Sequence, residues 1–175
     1  MFKFHYQVMK PVFEGRIEVC FMDTDSFLYH IHANDVQEKL AQLSMFFDFS
    51  NYPSNHPLYS IENKNKPGKF KDEMKGVPIV QFCGLRSKCY SLVTSSDHKI
   101  AAAGVKKSKH SSLHHHIYVE VLSEFSKRMV TQKTITSKAH KIFTQEQTRV
   151  GLSALDIKRH IFPDGITTVP HGYFE

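Results

Sequence analysis

Two aspartates separated by one residue are the feature of the sequence that bears most directly on chemistry. Asp23 and Asp25 lie in the tetrad Asp23-Thr24-Asp25-Ser26, between two apolar runs rich in β-branched and aromatic residues. Such runs are typical of strands, so the tetrad is predicted to form the tip of a β-hairpin. Carboxylates held close together repel each other unless a cation lies between them, and hard oxygen donors suit Mg²⁺ or Mn²⁺. Two such ions can support an in-line phosphoryl displacement.

The same tetrad also suits an ordinary turn, which is the simpler interpretation. Asp and Ser favour turns, and Asp-x-Asp is a short motif that arises readily by chance. The hydrophobic strands expected on both sides keep a metal site open as an alternative, because a solvated turn needs no such flanks.

Helices and a loop are predicted around this hairpin. Residues 2–10 carry apolar side chains at helical spacing, and Pro11 is expected to end that helix. Asn34 is expected to cap a second helix that continues to Phe47. Residues 48–68 are predicted to form a loop that is too polar and too rich in proline to belong to the core.

Strand patterns resume at residue 77. Strands are predicted over 77–85, 88–94 and 100–105, and a helix over 113–129. From 133 to 150, β-branched residues alternate with polar ones, which predicts the strands of a second, smaller lobe.

Composition narrows the class of partner. The 175 residues are 41% hydrophobic, which suits one domain or a domain with an added lobe. The net charge of +6 favours a polyanionic partner. The three cysteines form no Cys-x-x-Cys pair, so a reducing, intracellular compartment is expected, with the nucleus possible for a eukaryotic mobile element. Neither a long apolar run nor a signal-peptide pattern occurs, so no membrane partner is expected.

Basic residues cluster on both sides of the predicted strands. Exposed lysines are usually solvated, but contact with phosphate gains support because the clusters flank the candidate metal site. Lys88 and Tyr90 are two residues apart, so on a strand they would share a face and could hold a sugar-phosphate backbone. The clustered residues are Lys64, Lys66, Lys69, Lys71, Lys75, Arg86, Lys88, Lys106, Lys107 and Lys109.

A run of histidines, His114-His115-His116 with His110 upstream, suggests a metal-binding tract. Consecutive histidines on a helix point in different directions and chelate one ion poorly. A polar surface is therefore the favoured interpretation of this run.

Several segments resemble family B DNA polymerases. Residues 21–26 are similar to their Tyr-x-Asp-Thr-Asp-Ser motif, and residues 84–91 are similar to their downstream Lys-x-Tyr motif. The resemblance is closest to the protein-primed branch carried by Polinton/Maverick transposons and related viruses. It runs almost end to end, and the further matching segments, in the family's order, are 48–53, 56–59, 68–73, 104–107, 152–153, 156–159 and 164–166.

The resemblance implies an incomplete polymerase of the α+β class. Residues 1–103 would be the C-terminal part of the palm, an antiparallel sheet with packed helices, and residues 104–175 a small α/β thumb. It implies two Mg²⁺ or Mn²⁺ ions, with Asp25 binding both and Asp23 as its partner. Primer-template DNA, a deoxynucleoside triphosphate and a terminal priming protein would be the partners. The implied primer and DNA contacts are Lys88, Tyr90, Arg86, Lys106, Lys107, Lys69 and Lys71.

Departures from the family pattern accompany this resemblance. Phe21 stands in place of the usual tyrosine, Ser87 replaces a frequent proline, and Ile157 interrupts a more acidic stretch. Only 22 residues precede Asp23, so the second palm carboxylate, the nucleotide-binding fingers helix and the exonuclease are not found before it. The isolated chain is therefore expected to be inactive in DNA synthesis.

Two other functions compete with the polymerase. One is a catalytically inactive, DNA-binding remnant of a transposon polymerase. The other is a sugar-nucleotide transferase that uses Asp-x-Asp to hold a manganese diphosphate. The transferase would need a nucleotide-binding α/β region before the Asp-x-Asp, and its small diphosphate would not need so many basic residues.

Overall fold

The computed structural model describes residues 1–155 and 159–170. The chain forms two compact units, Met1–Ile79 and Val80–Glu175. The sheets have two or three strands each and are mostly antiparallel, with short helices beside them. This mixed architecture is compatible with the expected α+β class.

The first unit begins with a helix, α1, that contains a π-helical stretch. Its parts are Phe2–Phe4, the π-helical His5–Met9, and Lys10–Val12. The expectation that Pro11 ends the helix is wrong, since the Phe13 N–H still donates to the Met9 carbonyl at 3.1 Å. The wider π turn before the proline leaves room for its ring, which would otherwise meet the preceding carbonyls.

The predicted hairpin is confirmed. Strand β1, Ile17–Asp23, pairs antiparallel with β2, Ser26–Ile31. Its inner face packs on α1, where Ile17 and Phe13 are fully or almost fully buried. Partly buried Tyr29 packs against the same cluster.

The second helix, α2, is shorter than expected. It spans Val36–Gln42 and has Asp35, not Asn34, at its N-cap, without a side-chain capping bond. A 3₁₀ turn, Ser44–Phe46, follows, and β3, Phe47–Asp48, pairs in parallel with β4, Phe70–Lys71. The chain extends at β3 because its pairing with the distant β4 outweighs the local helical pattern.

The segment 48–68 forms a loop from residue 49 onward, as predicted, but part of it belongs to the core. Phe49, Tyr52 and Leu58 are buried and form a small core cluster of their own. The expectation that this stretch is too polar to be core was wrong, because three apolar side chains are enough to anchor a loop whose other residues are polar.

The second unit contains a three-stranded sheet, in the order β5-β6-β7. Its strands are β5, Ile79–Arg86, β6, Cys89–Thr94, and β7, His98–Ala102, and β5 begins at the last residue of the first unit. These agree with the predicted strands, although β7 begins and ends earlier than expected.

Helix α3, His115–Ser123, packs on this sheet and is shorter than predicted. Tyr118 is fully buried in the core of the unit, and its hydroxyl donates to the Ala101 carbonyl at 3.0 Å. The helix stops early because Phe125 adopts a left-handed φ of 51°, which redirects the chain into the next strand.

The rest of the second unit is a long hairpin and a short one. Strands β8, Lys127–Lys138, and β9, Lys141–Ser153, pair antiparallel, so the predicted strands are present and begin earlier than expected. Strands β10, Arg159–Ile161, and β11, Thr168–Pro170, form the short hairpin.

The two units divide the chain after Ile79, whereas the resemblance places a palm–thumb boundary after residue 103. That boundary stays a prediction about polymerase subdomains. The matching residues 156–158 lie outside the described part of the chain.

Cys20, Cys83 and Cys89 are free thiols, as expected. No helix within the described residues is long and apolar enough to cross a bilayer.

Candidate functional site

Asp23 and Asp25 lie at a very tight hairpin tip. Asp23 ends β1 and pairs with Ser26, so only Thr24 and Asp25 form the loop. The Asp25 N–H donates to the Asp23 carbonyl at 2.6 Å, and Thr24 between them has a φ of 54°. A β-branched residue in this region is strained, and strain of this kind concentrates at functional sites.

Hydrogen bonds orient Asp23 more than Asp25. The Thr24 hydroxyl donates to Asp23 Oδ1 at 3.1 Å, and the Ser26 hydroxyl donates to the Asp23 carbonyl at 3.0 Å. Asp23 is half-buried, while Asp25 is exposed at the apex. The tip therefore presents one held carboxylate and one that faces solvent.

A β-bulge at Cys20 determines the face on which Asp23 lies. The register shifts between Val19 and Phe21, so β1 has one more residue than β2 in this stretch. If side chains alternated regularly along β1 from Ile17, Asp23 would lie on the same face as Ile17, which is buried in the core. The bulge moves Asp23 to the outer face, and bulges commonly re-aim side chains next to active sites.

The tip offers two carboxylates. Within the described residues of the first unit, no further His, Cys, Asp or Glu completes a three-ligand group with Asp23 and Asp25. A Mg²⁺ ion takes about six oxygen ligands, so water and substrate phosphates would have to supply the rest. Binding of Mg²⁺ or Mn²⁺ at this tip stays a prediction.

Two lysines predicted to bind DNA have hydrogen-bond partners inside the first unit. The Lys69 ammonium donates to the Met45 carbonyl. The Lys71 ammonium forms an ion pair with the Asp48 carboxylate, with 3.0 Å between Nζ and Oδ2. Their role in DNA binding stays a prediction, and Lys71 also has a structural role that any substitution would disturb.

The Asp48 carboxylate joins three separate segments of the first unit. It is buried and accepts the N–H groups of Ser50 at 2.9 Å and Asn65 at 3.0 Å, besides the Lys71 ammonium. Hydrogen bonds from Ser50, and then those from Asn65 and Lys71, hold the pKa of Asp48 well below its usual range despite burial. A neighbouring carboxylate, Asp72, likewise accepts the Tyr52 hydroxyl at 2.8 Å.

Replacing Asp48 with asparagine is expected to destabilise the protein by about 2 kcal/mol, because the amide cannot satisfy all three donors. The Asp48 pKa is lowered by folding, so its stabilisation is present above about pH 4, the range of an unfolded Asp, and is lost as the pH falls further. Urea unfolding at neutral and acidic pH measures both effects.

The matched control is Asp35→Asn, which removes a carboxylate that also pairs with a lysine, Lys39, but is far more exposed than that of Asp48. That change is expected to cost less than about 1 kcal/mol. Equal costs for the two substitutions would contradict the role assigned to Asp48.

In the second unit, Lys88 does not share a strand face with Tyr90. Lys88 lies with Ser87 in the two-residue turn between β5 and β6, and its φ is 57°. The expectation that the Lys88 and Tyr90 side chains project from the same face of one strand was wrong, because the alternation of a strand does not extend into the turn. Tyr90 is half-buried on β6. Arg86, at the end of β5, is exposed on the other side of the same turn.

Lys106 and Lys107 lie on a segment that a buried glutamine fastens to β8. The Gln132 side chain accepts the Lys106 N–H at 2.9 Å and donates to the Gly104 carbonyl at 3.0 Å. Gln132 is only 3% exposed, whereas both lysine side chains are exposed. The fold therefore holds the backbone of these lysines in place and leaves their charges in solvent.

The long hairpin contributes basic residues that sequence reasoning missed. An open cavity of about 270 Å³ separates it from the lysine segment, with three lysines and one acid around it. The signal available in the sequence was Lys133, at the start of the alternating stretch 133–150. The cavity is lined by Lys106, Ser108, Lys109, Thr131, Gln132, Lys133 and Glu146. We call this surface, together with Lys107, the basic cleft.

Replacing Gln132 with alanine is expected to cost about 2 kcal/mol, because it leaves the Lys106 N–H without its partner and the Gly104 carbonyl with only the 3.3 Å bond from Arg149. Its cross-strand neighbour Gln147 is exposed, so Gln147→Ala is the matched control and is expected to be almost neutral. Thermal unfolding of the two variants measures the difference. A neutral Gln132→Ala would show that the glutamine does not fasten the segment.

Within the histidine run, His115 points away from its two neighbours, while His114 and His116 lie side by side. The His115 ring bonds the Ser91 hydroxyl at 3.0 Å, and burial lowers its pKa. His114 and His116 are exposed, with stacked rings whose centroids are 5.8 Å apart. No three-ligand group forms at this run within the described residues. The interpretation as a polar surface is retained.

The assembled geometry comprises a strained aspartate tip in the first unit and a basic cleft in the second. No family model, curated protein or solved structure matches this chain.

Proposed function

We propose that this chain is the C-terminal palm and thumb portion of a protein-primed family B DNA polymerase. The observation that carries the proposal is the Asp23-Thr24-Asp25-Ser26 tip. It combines a bulged strand that turns Asp23 outward, a strained Thr24 and an exposed Asp25. A tight hairpin turn commonly has a positive φ and an exposed apex, as at Ala139 and His140, so the pair of carboxylates itself is what favours a site for metal-bound phosphates.

The proposed reaction is attack by a primer 3′ hydroxyl on the α-phosphate of a deoxynucleoside triphosphate. Asp25 would bind two Mg²⁺ or Mn²⁺ ions, and Asp23, already oriented by Thr24, would bind beside it. In this chemistry the ions activate the attacking hydroxyl and stabilise the leaving pyrophosphate. The contribution of the protein is positioning and electrostatic stabilisation.

The basic cleft supports contact with DNA. Lys106 and Lys107 present their charges on a fastened backbone, and Lys109 and Lys133 add two more at the cleft. Ammonium groups held on a stable scaffold suit the regularly spaced phosphates of a duplex. Lys88, Tyr90 and Arg86, around the turn between β5 and β6, would contact the primer end.

A second candidate is an inactive, DNA-binding remnant of such a polymerase. The observation in its favour is that the described residues of the first unit add no third carboxylate to the tip. A two-metal mechanism needs ligands on both sides of the ions. The remnant would retain the basic cleft and bind DNA without synthesis.

Templated extension of a recessed primer distinguishes these candidates. The coding sequence before Met1 is read first, and any continuous frame is expressed together with these 175 residues. Extension that requires Mg²⁺ or Mn²⁺ is expected from the longer protein and not from the 175 residues alone. DNA binding without extension in every form, or a frame interrupted by stop codons, would favour the remnant.

A further inference from the structure

The outer face of the β1–β2 hairpin carries two histidines and a glutamate close together. Glu18 on β1 and His30 on β2 are directly paired across the strands. His32 follows β2, and its N–H donates to the Arg16 carbonyl at 2.9 Å, which continues the ladder beyond the strand. Strand alternation therefore places His32 on the same face as His30.

The opposite face of the hairpin holds this arrangement in register. Ile17 is only 6% exposed, and Tyr29 and Ile31 pack against the same core cluster. A slip of one residue would move these apolar side chains into solvent, so the register is strongly determined. The outward direction of Glu18, His30 and His32 follows from this burial, and all three residues are exposed.

The donor atoms are close enough to bind one ion. One ligand atom from each of Glu18, His30 and His32 lies within 4.8 Å of the other two. His30 Nδ1 and Glu18 Oε2 are 3.9 Å apart, and the two imidazole centroids are 4.0 Å apart. Ligand atoms around tetrahedral zinc are about 3.4 Å apart, since the bonds are near 2.1 Å. Small rotations of exposed side chains cover the difference.

The types of donor select the class of metal. Two imidazoles and one carboxylate suit Zn²⁺ and similar transition-metal ions, whereas Mg²⁺ prefers oxygen ligands alone. We infer that Glu18, His30 and His32 form a binding site for a divalent transition-metal ion, Zn²⁺ in the first place. Three protein ligands leave a fourth position open to water or to an external group.

This site is separate from the aspartate tip in both position and chemistry. It lies toward the open end of the hairpin, where Arg16 and His32 meet, and its ligands do not include Asp23 or Asp25. An ion bound there would connect β1 to the end of β2 and stabilise the hairpin that carries the tip. The inference does not depend on polymerase activity.

Titration of the 175-residue chain with Zn²⁺ and Co²⁺ tests the site. Calorimetry is expected to show one zinc ion bound by the wild type, with an affinity at least about tenfold lower in the His30→Gln, His32→Gln and Glu18→Gln variants. The visible absorption of bound Co²⁺ is expected to indicate a four- or five-coordinate site. Zinc is expected to raise the unfolding temperature of the wild type and not that of these variants.

The matched control is the His114→Gln/His116→Gln double variant, because it removes another exposed pair of neighbouring imidazoles. This variant and Asp25→Ala are expected to bind zinc like the wild type. In the wild type, NMR signals of the His30 and His32 rings should shift first on addition of zinc, a result that needs no variant. No zinc binding at millimolar metal, loss only in the His114/His116 variant, or unchanged binding in His30→Gln would overturn the inference.

Discussion

Replacing Asp25 with alanine is expected to reduce primer extension by about 1000-fold or more in the polymerase that carries this segment. Asp25 is the exposed carboxylate at the hairpin apex, and in the proposed reaction it binds both metal ions. Loss of a shared metal ligand removes several kcal/mol of transition-state stabilisation, and each 1.36 kcal/mol is about tenfold in rate. Single-nucleotide incorporation under single-turnover conditions measures the effect.

Asp25→Asn is expected to be almost as damaging as alanine. The amide preserves the size of the side chain, but it is neutral and cannot balance the charge of two divalent ions. A purely structural role for Asp25 would predict the opposite, because asparagine is well tolerated at turns of this kind. The pair of substitutions therefore separates metal binding from turn formation.

The control for this pair is Glu38→Ala, which removes an exposed carboxylate from α2 in the same unit. It is expected to leave extension unchanged. Asp25→Ala should also bind primer-template DNA almost as tightly as the wild type. An Asp25→Ala enzyme that keeps a tenth or more of its activity would exclude Asp25 as the shared ligand.

The second large effect is expected at the basic cleft. The Lys106→Ala/Lys107→Ala variant is expected to bind duplex DNA about 60-fold more weakly at 0.1 M salt, if each lysine neutralises one phosphate. Each contact contributes about −0.9 to the slope of log affinity against log salt, so the slope should become less steep by about 1.8. Fluorescence anisotropy with duplexes of unrelated sequence, over a range of salt, measures both quantities.

The control removes the same charge from another part of the chain. Lys3 is exposed on α1 and Lys10 lies over the Tyr6 ring, and neither belongs to the basic cleft. The Lys3→Ala/Lys10→Ala variant is expected to change the slope much less. Equal weakening by the two double variants would indicate a general effect of net charge, and binding insensitive to salt would reject phosphate contact altogether.

Local patterns were enough to predict the hairpin that carries the candidate site. Apolar residues with strand preferences lie on both sides of a tetrad of turn-forming residues, and interactions between neighbours in the chain decide such a structure. The different directions of His115 and His116, neighbours in the first turn of α3, follow from helix geometry in the same way. The error at Lys88 arose because the strand pattern of Tyr90 was extended back to a residue of the preceding turn, which ends at Lys88.

The sequence by itself determined the strands of the hairpin, the position of its two aspartates and the excess of positive charge. Only the tertiary structure decided which side chains meet. The pairing of Asp48 with Lys71 and the fastening of Lys106 by Gln132 join residues more than 20 positions apart in the chain. These contacts depend on packing and desolvation, which no local pattern encodes. The outward turn of Asp23 depends on strand register and a bulge, and register is decided by the apolar face that the core buries.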